Sequence, residues 1–277
     1  LYFGTPSVTQ HYNGSAWSMG GTLNVSRTRM KFGVGTEYAA LAAGHWTTNT
    51  CTEEYYGETW AIGAALGTGR AYMAGAGTQN AALAIGSAPG TVGHYCCTEH
   101  YDGSTWSDGG ALNVGRGKGV GAGTQNAALF ATGYQAPASP SLTGCTETYD
   151  GSAWSVQSNT NTARQHAMGG GLQNIAFIAG GETPSATNNT EEWNGISWSE
   201  VNNLITARAK GGGAGTKTNG VIFGGASPNH TCTEEYVSYI TSGSFGRISA
   251  TTFSGDGSKL TNTIPPSTVT SSAQIAA

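Results

Sequence analysis

The stretch "YDGSTWSDGGALNVGRGKG", Tyr101 to Gly119, sets an aromatic, an Asp-Gly pair, a tryptophan and an arginine close together. Alone it has the look of a catalytic box. It is not alone: "YNGSAWSMGGTLNVSR" begins at Tyr12, "YYGETWAIGAALGTGR" at Tyr55, "YDGSAWSVQSNTNTAR" at Tyr149 and "WNGISWSEVNNLITAR" at Trp193. The tryptophans Trp17, Trp60, Trp106, Trp154 and Trp198 stand 43, 46, 48 and 44 residues apart, and Arg27, Arg70, Arg116, Arg164 and Arg208 each follow by ten. A sixth copy, "CTEEY" ending at Tyr236, has no Trp after it. Periods of this length mark repeat architectures, so the stretch is a structural unit before it is a site.

Each unit reads as four short strands. A Gly-rich piece such as "GVGAGT" (119–124) comes first, then a small apolar run closing in Gly, such as "AALAIG" (81–86) or "VIFGG" (221–225). The "CTEEY" type is third and the Trp-bearing strand fourth. Asn13-Gly14, Asp102-Gly103, Asp150-Gly151 and Asn194-Gly195 separate the third and fourth. Both residue types accept positive φ, which predicts tight type I′ hairpins and makes Asp102 a turn residue. No segment sustains a 3.6-residue period. Four strands in about 45 residues, repeated, predict an all-β propeller. Small residues suit the crowded axis, and Tyr and Trp fill the widening gaps between blades.

The strand count is 22, against 24 for six complete four-stranded blades. "YVSYIT" (236–241) and "GRISATTF" (246–253) are candidates for the two missing strands, pairing the ends of the chain. An upstream segment, or five blades with a spare hairpin, fits the count as well. The domain reading is a propeller over 1–240 and an extended Ser/Thr/Gly-rich connector over 241–277, part of which closes the propeller.

Composition narrows the function. Charged residues are 10% of the chain, 44 residues are Gly, and the net charge is −4 with no Lys/Arg run. Binding to nucleic-acid phosphates has no electrostatic footprint here. No apolar run approaches the ~20 residues that cross a bilayer, so membrane insertion is not expected. "LYFG" at Leu1 reads as the middle of a strand, so an N-terminal piece is expected to be missing. Of Cys51, Cys96, Cys97, Cys145 and Cys232, four precede a Thr-Glu pair in successive units. Equivalent positions in neighbouring units rarely meet disulfide geometry, which predicts small buried free thiols and folding in a reducing compartment.

The pattern resembles the kelch repeat: an apolar strand ending in Gly-Gly, then a Tyr, a Trp, and an Arg about ten residues on. Gly180-Gly181, Tyr101, Trp106 and Arg116 stand in those positions, and the resemblance covers roughly residues 1–240. The chain departs from it in a short Tyr-to-Trp gap and in units with one Gly, as at Gly44. The "GTQNAALA" and "TEEYDGSxW" style is also similar to kelch-like propellers in structural proteins of marine bacteriophages, including cyanophages. The tail 241–277 is similar to segments beside such propellers in tail and fibre proteins. The resemblance implies a non-enzymatic virion protein, a tail-fibre or tail-appendage component. Its expected partners are other virion proteins, copies of itself, and a host-surface glycan or protein.

Chemical readings compete with that one. "YDGSTW" is similar to the sialidase Asp-box, but Asp102 and Gly103 are adjacent, which breaks the spacing. The arginines recur once per unit, spread around a ring, where Glu53, Glu99, Glu147, Glu191 and Glu234 are candidate partners. The alternative is a lectin with a Trp-Arg-Glu sugar site in each blade gap. "HYCCTEH" (94–100) has zinc-capable types, but residues on a strand alternate in direction and cannot all converge. "GVGAGTQNA" has no following helix to hold a phosphate. No metal, cofactor or catalytic set is expected. The variable segments are the loops between second and third strands, whose aromatics and histidines, Trp46, His94, Tyr95, Tyr134 and His230, are the candidate recognition residues.

Overall fold

The computed structural model describes residues 2–4, 7–27, 32–45, 49–87, 96–135, 141–226 and 231–236. The connector 241–277, the two candidate closing segments beyond Tyr236, and Trp46, His94, Tyr95 and His230 lie outside them. Among the described residues the chain is entirely β and propeller-like, with no helix.

The first sheet holds β1 (Tyr2–Gly4), β2 (Val8–Tyr12) and β3 (Trp17–Met19). The second holds β4 (Val34–Gly35), β5 (Ala40–His45), β6 (Asn49–Tyr55) and β7 (Trp60–Gly63). The third holds β8 (Ala74–Thr78), β9 (Ala81–Ile85), β10 (Thr98–Tyr101) and β11 (Trp106–Asp108). After β12 (Arg116–Gly117) come β13 (Val120–Thr124) and β14 (Ala127–Ala131), then β15 (Tyr134–Gln135) and β16 (Ser141–Leu142). β17 (Thr146–Tyr149) and β18 (Trp154–Gln157) complete a fourth sheet with β13 and β14, while β12, β15 and β16 form a small sheet of their own. The fifth holds β19 (Met168–Leu172), β20 (Ile175–Ala179), β21 (Thr190–Trp193) and β22 (Trp198–Val201). The sixth holds β23 (Gly212–Gly215), β24 (Gly220–Phe223) and β25 (Thr233–Tyr236). Within each repeat sheet the strands pair antiparallel in sequence order.

The core lies between consecutive sheets. Ala74, Ala76, Leu83 and Ile85 of the third sheet pack on Ala128, Phe130, Tyr149 and Trp154 of the fourth. Val120, Leu129 and Ala131 of the fourth pack on Ala176, Ile178, Trp193 and Trp198 of the fifth. The second strands are buried on both faces, which explains their continuous apolar runs. Where first strands of successive sheets converge, backbone meets backbone. A β-carbon on Gly121 would stand 2.4 Å from Gly75 O, and one on Gly213 2.5 Å from Gly169 N. Only glycine fits there.

The hairpins form where expected, with Tyr149 opposite Trp154 and Tyr101 opposite Trp106, but not as type I′ turns. The glycines have positive φ (93° at Gly103), whereas Asp102 and its counterparts do not. The loop spans four residues. Asp102 Oδ1 accepts from Ser104 N at 2.8 Å and Thr105 N at 2.7 Å, a side-chain turn that a two-residue loop has no room for. These bonds hold the exposed Asp102 carboxyl down at about 2.

The cysteines are free, but only Cys145 is buried; Cys51, Cys96 and Cys97 are half-buried and Cys232 exposed. The expectation of buried thiols thus holds for Cys145 alone.

Candidate functional site

The repeat arginines carry the most suggestive chemistry. Arg27 pairs with Glu53 and Arg70 with Glu99, each at 2.8 Å; Arg116 pairs with Glu147, Arg164 with Glu191 and Arg208 with Glu234. These are the carboxylates the repeat register proposed. All five guanidinium groups are fully buried. Each also donates to backbone carbonyls, as Arg116 does to Phe130 O (2.9 Å) and Thr132 O (3.1 Å). Burial lowers the Arg70 and Arg164 pKa values, and the opposing pull of Glu99 and Glu191 offsets only part of it.

A residue that sequence reading passed over completes the set. Asn24, Asn113 and Asn161 stand three before the Arg. Asn113 donates to Glu147 Oε2 through N (2.8 Å) and Nδ2 (2.9 Å), then reaches Trp154 O at 2.7 Å. Asn24 and Asn161 repeat the motif on Glu53 and Glu191. The Asn recurrence was visible; its partner was not.

The tryptophans tie sheet to sheet. Trp60 Nε1 donates to Thr9 Oγ1 (2.8 Å), Trp106 to Thr52 (3.0 Å), Trp154 to Thr98 (3.0 Å) and Trp198 to Thr146 (2.9 Å). Trp17 makes the same bond to Thr233 of the sixth sheet at 2.9 Å. The Trp-Arg-Glu set imagined as a sugar site is therefore occupied by protein partners, and its cations are sealed from solvent.

Polar and aromatic side chains that differ from repeat to repeat gather elsewhere, where the first strands begin; Lys210 is exposed, Tyr72 and Lys118 are half-buried and His166 is buried. Two residues past the repeat Arg stand Tyr72, Lys118, His166 and Lys210, with φ of 57°, 62°, 56° and 64°. Each amide donates to the preceding member: Lys118 N to Tyr72 O (2.9 Å), His166 N to Lys118 O (2.8 Å) and Lys210 N to His166 O (3.1 Å). These bonds link four residues of left-handed backbone, which costs a side-chain-bearing residue about 1–2 kcal/mol. Glycine would avoid that cost.

The side chains form a connected belt. Lys118 Nζ lies 4.8 Å from the Tyr134 ring centroid and 5.3 Å from that of Tyr72, and bonds Gln165 Oε1 at 3.1 Å. Gln165 Nε2 donates to Glu182 Oε2 at 3.1 Å, and Glu182 Oε1 meets Lys210 Nζ at 2.5 Å. The Tyr72 and His166 rings meet edge to face at 5.5 Å. Pairing of Tyr134 with Gly117, and of Glu182 with Gln165, sets the loops after the second strands against this belt. Of the loop residues singled out from sequence, Tyr134 is thus placed in it. The belt borders a cavity of about 820 Å³ lined by β4, β8, β13, β19 and β23. Among the described residues no group of three or more His, Cys, Asp or Glu is placed to hold a metal.

No family model matches this chain, and no curated protein matches it. Among solved structures it is similar to the one described as "Structure of YjhT", with a TM-score of 0.70 over 87% of this chain and 91% of that chain, at 11% identity. At that identity the likeness shows the fold alone.

Proposed function

We propose that the six sheets close into a six-bladed ring, and that the protein is a non-enzymatic structural component of a phage particle. In this reading it belongs to a tail fibre or tail appendage and acts in assembly and host-surface contact. Closure is supported by the contacts between first and sixth sheets. Trp17–Thr233 repeats the bond between the other sheets; Tyr12 Oη donates to Glu235 at 3.1 Å, and Trp17 packs on Phe223 with centroids 5.1 Å apart. The observation that carries the functional reading is the division of labour. Every repeat Arg, Glu and Trp is spent on internal ties, while side chains that differ from repeat to repeat gather in the belt and its loops. A rigid disc that carries such a variable surface suits recognition by shape and polar contact. The kelch-like, low-charge, Gly-rich style adds the particle.

The test is competition. Purified chain should reduce adsorption of the encoding phage to its host, and antibody to the chain should label purified particles. Lys118→Ala and Tyr134→Ala should lose competition with an unchanged melting temperature. Absence of both labelling and competition overturns the reading.

A further inference from the structure

At the end of the sheets opposite the belt, turn residues recur from sheet to sheet, and the second sheet departs from them. In the turn between third and fourth strands, Asn13, Asp102, Asp150 and Asn194 each accept from two backbone amides through Oδ1, at 2.7–2.9 Å. The second sheet has Tyr56 at that position. In the turn between first and second strands, Asn80, Asn126 and Asn174 are matched by Tyr38. Gln79, Gln125 and Gln173, whose Nε2 atoms bond the preceding sheet at Tyr55 O, Tyr101 O and Tyr149 O (2.6–2.7 Å), are matched by Glu37. The sixth sheet departs in this turn as well, with Lys217 and Thr218, but the second departs in both turns.

A tyrosine cannot supply the Oδ1 acceptor, so Tyr56 gives up two turn bonds that four sister turns keep. Its hydroxyl bonds Glu54 instead, and the exchange puts an aromatic ring where the sister turns have a small polar side chain. Both rings face water: Tyr38 is 66% and Tyr56 58% exposed. They are adjacent, since Tyr38 Cδ1 lies 3.8 Å from the β-carbon position of Gly57. Every charged side chain of the two turns is acidic. Glu54 accepts the Tyr56 hydroxyl, Glu37 lies 3.3 Å from His11 Nδ1, and Glu58 sits in the Tyr56 turn. His11 also bonds Tyr55 at 2.7 Å and lies 5.8 Å from the Tyr38 ring.

We propose that Tyr38 and Tyr56 form a platform for a neutral, hydroxyl-rich glycan. The exposed rings stack on the C–H face of a pyranose, and the exposed Glu58 and half-buried Glu37 accept its hydroxyls. The same carboxylates repel uronates, sialates and sulfated sugars. This site is separate from the axial belt and does not depend on its role.

The test uses the full chain on immobilised β-glucan, α-mannan and chitin hexasaccharides, with polygalacturonate and sialyllactose alongside. Binding to at least one neutral glycan is expected, weakened tenfold or more by Tyr38→Ala and by Tyr56→Ala with the fold intact. Tyr56→Asn restores the turn acceptor and removes the bond to Glu54, so it should keep the fold while weakening binding. The proposal is overturned if only acidic glycans or none bind, or if the folded tyrosine variants bind like the parent.

Discussion

Arg116→Met is the sharpest probe of how this protein holds together. The substitution keeps much of the side-chain volume and removes the charge. It leaves the fully buried Glu147 carboxylate with only the Asn113 and Val114 amide donors. It also strips a donor from Phe130 O and Thr132 O. Breaking a buried pair from one side costs about 3–5 kcal/mol. At about 2–4 °C per kcal/mol for a chain of this size, the melting temperature falls by about 6–20 °C. Urea unfolding should show a lower midpoint with an unchanged slope. Arg208→Met should cost less, because Glu234 is 12% exposed and water relieves the stranded charge. Arg116→Met/Glu147→Leu should recover part of the loss, since the stranded charge is gone although the Asn113 amide is not satisfied. The reasoning fails if Arg116→Met costs under about 1 kcal/mol, or if Arg208→Met costs as much.

Gly121→Ala drives a methyl into Gly75 O at 2.4 Å and should lower stability by about 1–3 kcal/mol in chemical denaturation. Trp17→Phe and Trp60→Phe each remove one indole bond and should cost about 1 kcal/mol apiece; a silent Trp17→Phe would mean that the first and sixth sheets are not held together in solution. The Asp102 carboxyl is depressed in the folded chain, so its contribution is present above about pH 4 and lost as pH falls towards about 2. Thermal melts across that window should show the parent losing more stability than Asp102→Asn.

Much of this was legible because repetition converts sequence into geometry. Once Trp106 and Arg116 recur at fixed offsets, the carboxylate in the following "TEEY" is the natural partner, and Arg116–Glu147 is such a pair. Hairpin positions were equally readable from Asp102-Gly103. The turn type was not, because it depends on which backbone amides the Asp102 side chain meets. The axial belt escaped notice for a related reason. Tyr72, Lys118, His166 and Lys210 share nothing but an offset from an arginine, and their unlike side chains hide it. A run of non-glycines at one offset in a Gly-rich segment was the available signal.

By itself, then, the sequence determined the repeat, the strand order within each sheet, and the use of small residues at the axis. These follow from local periodicity, turn chemistry and steric volume, which a chain carries residue by residue. The tertiary structure decided what each polar group does. It turned Arg, Glu and Trp from a plausible sugar site into buried ties, because burial is a property of neighbours. It brought Tyr72, Lys118, His166 and Lys210, from four repeats, into one belt, and it set Tyr38 beside Tyr56. Such meetings join residues far apart in the chain, and no local preference specifies them.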